Sequence, residues 1–282
     1  MSERPLAAIR TFEEFSKNPG IFQRLRRFAS TSLAAARGTW SRRSGGNWLR
    51  FAFYHYVFDD QRAGFSRQLR HFRQIGQVIT LDEAVGLVER KVPVDGRYLC
   101  ITFDDGLANN FENALPILAE HQMPAAFFVA TGYIGLKPQT DRQRLLGFHG
   151  EHSGLLVEFM DWEQCRILLR SGMTVGSHSV THARLAELDA TAADRELRES
   201  RQTIRHELGS ECLHFCAPYG RPVRDFRPER DISLAQRAGY RSFHTTARGT
   251  THRSEGIAIT QRQHLLAHWP PAVVTHHLFR DH

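Results

Sequence analysis

The stretch RYLCITFDDG, Arg97 to Gly106, runs a nearly continuous apolar segment into two adjacent carboxylates and a glycine. An apolar run of this length, bounded by turn residues, reads as a strand buried on both faces, as in a parallel sheet covered by helices. Asp and Gly are ordinary turn formers, so one reading of Asp104-Asp105-Gly106 is an Asx turn and nothing more. Two neighbouring carboxylates at the end of a buried strand are costly, however, unless something uses their charge.

The flanking sequence repeats the strand-helix theme. Strand-like stretches are Leu49–Val57 (LRFAFYHYV), QVIT, AAFFVAT, MTVGSH, LHFCAPYG, RSFHTT and GIAITQR. Between them lie helical stretches. Gly64–Gly76 places Phe65, Leu69, Phe72 and Ile75 on one face, and LDEAVGLVER opens on Thr80 or Asp82 as a cap. ENALPILAEHQ, WEQCRILLRSG, the long charged DATAADRELRESRQTIRHELG, ISLAQRAGY and the closing PPAVVTHHLF complete the series. This alternation means βα units and a parallel sheet. A closed or partly open barrel fits about seven such units. The weakly periodic segment Gly135–Leu156 is expected to be a long loop after a strand.

The 282 residues can bury a substantial core. Hydrophobic content of 41% and charged content of 24% suit a globular chain, and no apolar run reaches transmembrane length. The cysteines Cys100, Cys165, Cys212 and Cys216 form no CxxC pair and are too sparse for a disulfide framework. The leading MSERPLAAIRTFEEFSKNPG has no apolar signal-peptide region. Reduced thiols and a cytoplasmic setting are therefore expected. The net charge of +7 sits in residues 1–50, where ten Lys/Arg face three Asp/Glu. The neutral remainder argues against a nucleic-acid partner. Residues 1–46 read as a basic extension and linker, and 47–282 as the folded domain. Within the extension, Ile21–Arg37 has helical spacing, with Ile21, Leu25, Phe28 and Ala29 on one face and Arg24 and Arg27 beside it. That helix either packs on the domain as a basic N-terminal helical extension or lies at an anionic membrane, peripheral to the inner face.

Three strand ends carry polar punctuation: TFDDG, GSHSVTH with His178 and His182, and CAPYG with Pro218-Tyr219-Gly220. In parallel α/β folds the carboxyl ends of strands converge on one face, where ligands bind. The HxxxH spacing lets two imidazoles share a divalent ion. Two His and one Asp make a set with open positions, suited to zinc and related ions. The second Asp then stays free to accept a proton from water, and a cation offsets the like-charge cost.

The motifs resemble those of the polysaccharide deacetylases, the NodB-homology group or carbohydrate esterase family 4. TFDDG is similar to the family's first motif, HSVTH to its second, H[ST]xxH, and APYG to the core of its third. YHYV at Tyr54–Val57 resembles a segment near the start of the exopolysaccharide-type branch. The resemblance runs from Leu49 to the C-terminus. It implies an α/β fold, a distorted (β/α)7-type barrel, binding one divalent metal, zinc foremost, with cobalt or nickel as substitutes. It implies a hydrolase that removes N-acetyl groups from an amino sugar of a polysaccharide or its lipid-linked precursor, as in exopolysaccharide biosynthesis. Asp104 is implied as general base; Asp105, His178 and His182 as metal ligands; and a backbone N–H at Tyr219 as an oxyanion donor.

Two departures matter. The third motif usually carries an Arg two residues before the Pro to orient the base; here that position is Cys216, so Asp104 must be oriented otherwise. The family's last motif supplies a general-acid His, and no clean match exists. In ITQRQHLLAHWP, His264 follows a strand and is preferred over His268, with Arg262 as a further candidate for the site. His55 is a candidate pocket residue, His244 a weaker one. Asp161 reads as a helix cap, and His276 and His277 are expected on the surface. Two alternatives stay open: removal of a formyl group from a lipid-linked amino sugar, and a catalytically silent carbohydrate-binding relative.

Overall fold

The computed structural model describes residues 8–17, 46–90, 92–149, 155–247, 251–254 and 256–279. Seven parallel strands close a barrel: β1 (Trp48–Tyr54), β3 (Arg97–Phe103), β4 (Ala126–Val129), β5 (Thr174–Ser177), β6 (His214–Cys216), β7 (Ser242–Thr245) and β9 (Ile257–His264). β9 pairs back onto β1 through Phe51–Arg262 and Phe53–His264. The short β2 (Gln77–Val78) pairs with β3, and β8 (His252–Ser254) runs antiparallel to β9. The helices are α1 (Phe12–Ser16), α2 (Arg62–Ile75), α3 (Leu81–Glu89), α4 (Leu115–Glu120), α5 (Arg142–Gly147), α6 (Trp162–Arg170), α7 (Ala190–Leu208), α8 (Ser233–Ala238) and α9 (Pro271–Phe279). Among the described residues no helix is long and apolar enough to cross a membrane.

The run RYLCITF is apolar throughout because both of its faces are covered. Leu99, Ile101 and Phe103 pack outward with Tyr54, Phe65 and Phe127 beneath the helices. Cys100 points the other way and joins Phe51, Ala126, Phe128, Cys216 and Ala258, against which α3 packs Leu81, Ala84 and Val85. Fully burying one such aromatic or aliphatic side chain contributes about 1.5–3 kcal/mol. The same alternation aims Thr102 and Asp104 inward, and Thr260, Arg262 and His264 of β9 at i, i+2 and i+4 share one face.

Helix ends follow the residues. Thr80 and Asp161 each complete a capping box, with Glu83 and Gln164. Asp189 caps α7, which ends on Gly209 in the left-handed region. The stretch ENALPILAEHQ differs from a plain helix. Asn110–Ala114 forms a wider π turn before α4, and Pro116 follows at the second position of α4. Proline has no N–H, and its ring crowds the carbonyl four residues back, which favours the wider turn. The expected loop 135–156 contains α5. Residues 8–17 include α1, closed by a Thr11–Glu14 capping box, with Phe15 buried against Tyr56 and Phe58. The expected helix at Ile21–Arg37 lies outside the described residues. The expected surface position of His277 is corrected: it is buried and stacks on Trp269 with centroids 4.3 Å apart. Helix α9 buries Val274, Thr275, Leu278 and Phe279 along with His277, while His276 is half-buried.

Candidate active site

β3 delivers its two carboxylates to the carboxyl end of the barrel, both 2% exposed. Asp105 has φ +75° and Gly106 φ +84°, so the chain bends sharply as it leaves the strand. Gly106 suits that bend because side-chain-bearing residues rarely adopt such a φ, and a Cβ there would also press on Ile134 Cδ1 at 2.9 Å. The bend separates the two aspartates into different surroundings.

Asp105 faces the HxxxH turn. Its Oδ1 lies 3.4 Å from His178 Nε2 and 3.3 Å from His182 Nε2. Despite burial, Oδ1 has no hydrogen-bond partner. His178 Nδ1 lies 2.8 Å from the Cys216 carbonyl oxygen, to which it donates. That bond leaves Nε2 to face Asp105 as a ligand nitrogen. Burial opposes charge on Asp105, yet the two imidazoles hold its carboxyl well below the usual carboxylate range. Burial likewise opposes charge on His178, but its proton affinity stands well above the ordinary histidine value. We attribute that rise to Asp105, because burial also pushes the Cys216 thiol up and keeps it neutral. One Asp and two His with converging ligand atoms, one an orphaned buried oxygen, fit a divalent ion.

Asp104 faces the other way, into a guanidinium. Arg262 donates from Nη1 to Oδ1 at 2.7 Å and from Nη2 to Oδ2 at 2.8 Å. The rest of the fork is also occupied: Thr102 Oγ1 at 3.0 Å, the Thr245 carbonyl at 3.3 Å and Cys216 Sγ at 2.8 Å. The Phe53 and Phe128 rings lie 4.6 and 5.5 Å from the guanidinium carbon. Burial alone would raise the Asp104 carboxyl; the Arg262 charge outweighs it and brings it below the ordinary value. Asp104 is therefore an ionised, oriented carboxylate. Cys216, at the position of the expected Arg, instead gives Arg262 of β9 the room and a partner. Asp104, His178 and Cys216 also lie close enough to share an ion, but two of those three are engaged by Arg262.

His55 follows β1 and lies near enough to Asp104, Asp105 and His182 to bias their charge. Its Nδ1 is 3.2 Å from His264 Nε2. His264 stacks on Phe53 at 4.8 Å, and burial and the facing His55 push it down to about 3. The structure thus places His264 behind His55 as a neutral partner. Tyr219 has φ +59°, and its 43%-exposed ring lies 4.8 Å from the His182 ring, under the Arg184 guanidinium at 3.8 Å. Phe148 covers the other flank of His182 at 4.7 Å. His268 sits away from this group, bonded to Gln61 and packed on Phe12. His244 lies in the lower barrel, between Ser242 and Thr260.

A family model for polysaccharide deacetylase matches residues 91–243, just over half of the chain. The chain belongs to the polysaccharide deacetylase family. It is 26% identical over 184 residues to a chitooligosaccharide deacetylase of Rhizobium leguminosarum bv. trifolii, covering 65% of this chain and 72% of that one. It is 25% identical over 186 residues to YxkH of Bacillus subtilis (strain 168), and the match spans 66% of this chain but only 58% of that relative. Among solved structures, IcaB from Ammonifex degensii superposes with a TM-score of 0.63 at 22% identity, over 82% of this chain and 97% of that one. The Streptococcus pyogenes deacetylase PplD, in complex with acetate, gives 0.62 at 18% identity, over 82% and 96%. At these identities the two structures establish the fold, the NodB-like (β/α)7 barrel of this family.

Proposed function

We propose that this deacetylase is a metal-dependent hydrolase that removes the N-acetyl group from an amino sugar of a polysaccharide or its lipid-linked precursor. The observation that carries the reading is the division of labour at Asp104-Asp105. One carboxylate joins two imidazoles around an orphaned oxygen, and its neighbour is locked as an anion by a bidentate arginine.

Asp105, His178 and His182 would hold the ion, zinc first by donor type. A divalent ion there supplies a Lewis acid for the acyl carbonyl and for water. Asp104 takes the proton of the attacking water, and Arg262 keeps that carboxylate aimed and unprotonated until then. The Tyr219 N–H, which no described residue accepts, would donate to the oxyanion. His55, facing the aspartates with His264 behind it, would give a proton to the leaving amine. His264 is then the positioning partner: being neutral, its Nε2 accepts from His55 Nδ1. The domain layout, with residues 1–46 as an extension that holds a cytoplasmic enzyme at an anionic membrane face, belongs to the same proposal and rests on the charge in residues 1–50.

The test is acetate release from N-acetylglucosamine oligomers by zinc-loaded protein. Release that stops in Asp104→Asn supports the reading. No release by a protein carrying one zinc per chain contradicts it for acetylated oligomers; formate release from a formylated amino sugar would move the activity to the other acyl group.

A further inference from the structure

The two histidines opposite Asp105 are carried by a turn that is hard to form. Ser179 has φ +65° and His182 φ +59°, two left-handed residues within four positions, neither of them glycine. Such a turn persists only if its surroundings over-determine it. Its backbone carbonyls are taken by the next strand end: Thr131 N–H donates to the Ser179 carbonyl at 3.1 Å and Gly132 N–H to the Val180 carbonyl at 2.9 Å. A Cβ at Gly132 would lie 2.6 Å from that Val180 oxygen, so only glycine allows the approach. The four N–H groups of the turn are also used. Ser177 Oγ accepts from Ser179 and Ser179 Oγ from His182. The other two, Val180 at 2.8 Å and Thr181 at 2.9 Å, donate to one oxygen of Glu196, whose second oxygen accepts from Thr181 Oγ1 at 2.8 Å.

Glu196 comes from the second turn of α7, a nineteen-residue helix. That helix is anchored under the same strand: Ser200 Oγ meets Ser177 Oγ at 2.7 Å, and Tyr240 donates to the Leu197 carbonyl at 2.9 Å. The carboxylate thus ties the strained turn to a rigid element. We propose that Glu196 is a positioning residue for the metal-binding turn, setting metal affinity by fixing Val180-Thr181 so that His182 faces Asp105. The inference rests on the metal reading of Asp105, His178 and His182 given above. Glu196 itself touches neither the ion nor the substrate. Its removal frees two backbone donors and lets the turn relax from its left-handed geometry, which turns His182 away. Partners that orient metal ligands in this way typically change affinity by about 10–100-fold when lost.

The test is Co²⁺ binding to full-length, metal-free protein, read by chelator competition and by the ligand-field absorption of the bound ion, for wild type, Glu196→Ala and Thr181→Ala. Amide exchange at Val180 and Thr181 is followed in parallel. The expected result is a dissociation constant about 10–100-fold weaker in Glu196→Ala. Faster exchange at those two amides should accompany it, with the wild-type absorption recovered at saturating Co²⁺. Thr181→Ala, which removes one side-chain bond at the surface and keeps both backbone bonds, should weaken binding only a few-fold. Unchanged affinity in a folded Glu196→Ala, which has no acceptor, overturns the inference. Should that variant not fold, unchanged affinity in Thr181→Ala overturns it instead. If wild type binds no Co²⁺, or Asp105→Asn binds as wild type does, the metal reading falls, and this inference with it.

Discussion

The upper and lower halves of the barrel interior are both polar, and they are built on opposite rules. The upper half is charged and incomplete. Asp104 is locked to Arg262, while Asp105 keeps a buried oxygen without a partner between two imidazoles. The lower half is a closed chain of paired groups. Asp82 Oδ1 lies 3.3 Å from His214 Nε2; His214 Nδ1 is 2.7 Å from Ser242 Oγ; Ser242 Oγ is 2.7 Å from His244 Nε2; and His244 Nδ1 meets Thr260 Oγ1. One proton arrangement satisfies the whole chain. His214 donates to the Asp82 carboxylate, so its other nitrogen accepts from Ser242, which accepts from His244, which accepts from Thr260. Both halves hold histidines, so histidine content does not distinguish a site from a scaffold. What separates these two groups is whether their own buried polar atoms are paired.

The largest break in this contrast should come from Arg262→Met. It leaves Asp104 buried without its cation, a loss of about 3–5 kcal/mol in denaturant unfolding. Whatever folds should also lose its anionic base at neutral pH. Adding Asp104→Asn to Arg262→Met should recover most of that stability and none of the activity. If the double variant is as unstable as the single one, the pairing is not what holds this region. Asp104→Asn alone should lower turnover by about 10²–10⁴-fold, the usual range for a general base, and retain bound metal.

Lower-half changes should act on stability alone. His244→Leu orphans Ser242 and Thr260 and should cost about 1–3 kcal/mol, with turnover per folded molecule unchanged. A fall in turnover comparable to that of Asp104→Asn would mean that the two halves are not separate.

The smallest effect is on acid tolerance, and its pH window separates the groups. Burial and the facing His214 hold His244 well below 6.5, and His264 stands at about 3. Folding favours their neutral forms, so their contribution is present above the unfolded value of about 6.5 and is lost as pH falls toward the folded values. Asp104 and Asp105 are depressed from 3.8, so theirs is lost only below about pH 4. Thermal midpoints measured from pH 7 to 4 should therefore decline, and His244→Leu should flatten part of that decline. An unchanged slope in the variant would remove His244 from the account.

Much of this was legible in the sequence. RYLCITF is a strand over those same residues because a doubly covered strand has no polar face to blur its ends, and Thr80 and Asp161 cap as their side chains suggest. The barrel followed from the alternation of strands and helices. The Arg262 pairing was harder to read, since its partner lies 158 positions away and only closure of β9 on β1 joins them. A signal did exist: in TQRQH, inward-facing Thr260, Arg262 and His264 alternate with glutamines, so an arginine on that face needs a buried anion. His55 stands in front of His264 for a similar reason, through a contact 209 residues apart. The capped helix at residues 12–16 left its mark in T-F-E-E, a capping box hidden within a segment read as an extension. His277 looked like a surface residue because its neighbour on Trp269 is invisible to helical periodicity.

The assignment of ion and base to Asp105 and Asp104 respectively can be tested in one experiment. X-ray absorption at the zinc edge of zinc-loaded protein reports the atoms around the ion. The account predicts only nitrogen and oxygen neighbours, at about 2.0–2.2 Å, from His178, His182 and Asp105. A sulfur neighbour at about 2.3 Å would put the ion on Cys216 and Asp104 instead, and Asp104 could no longer be the base.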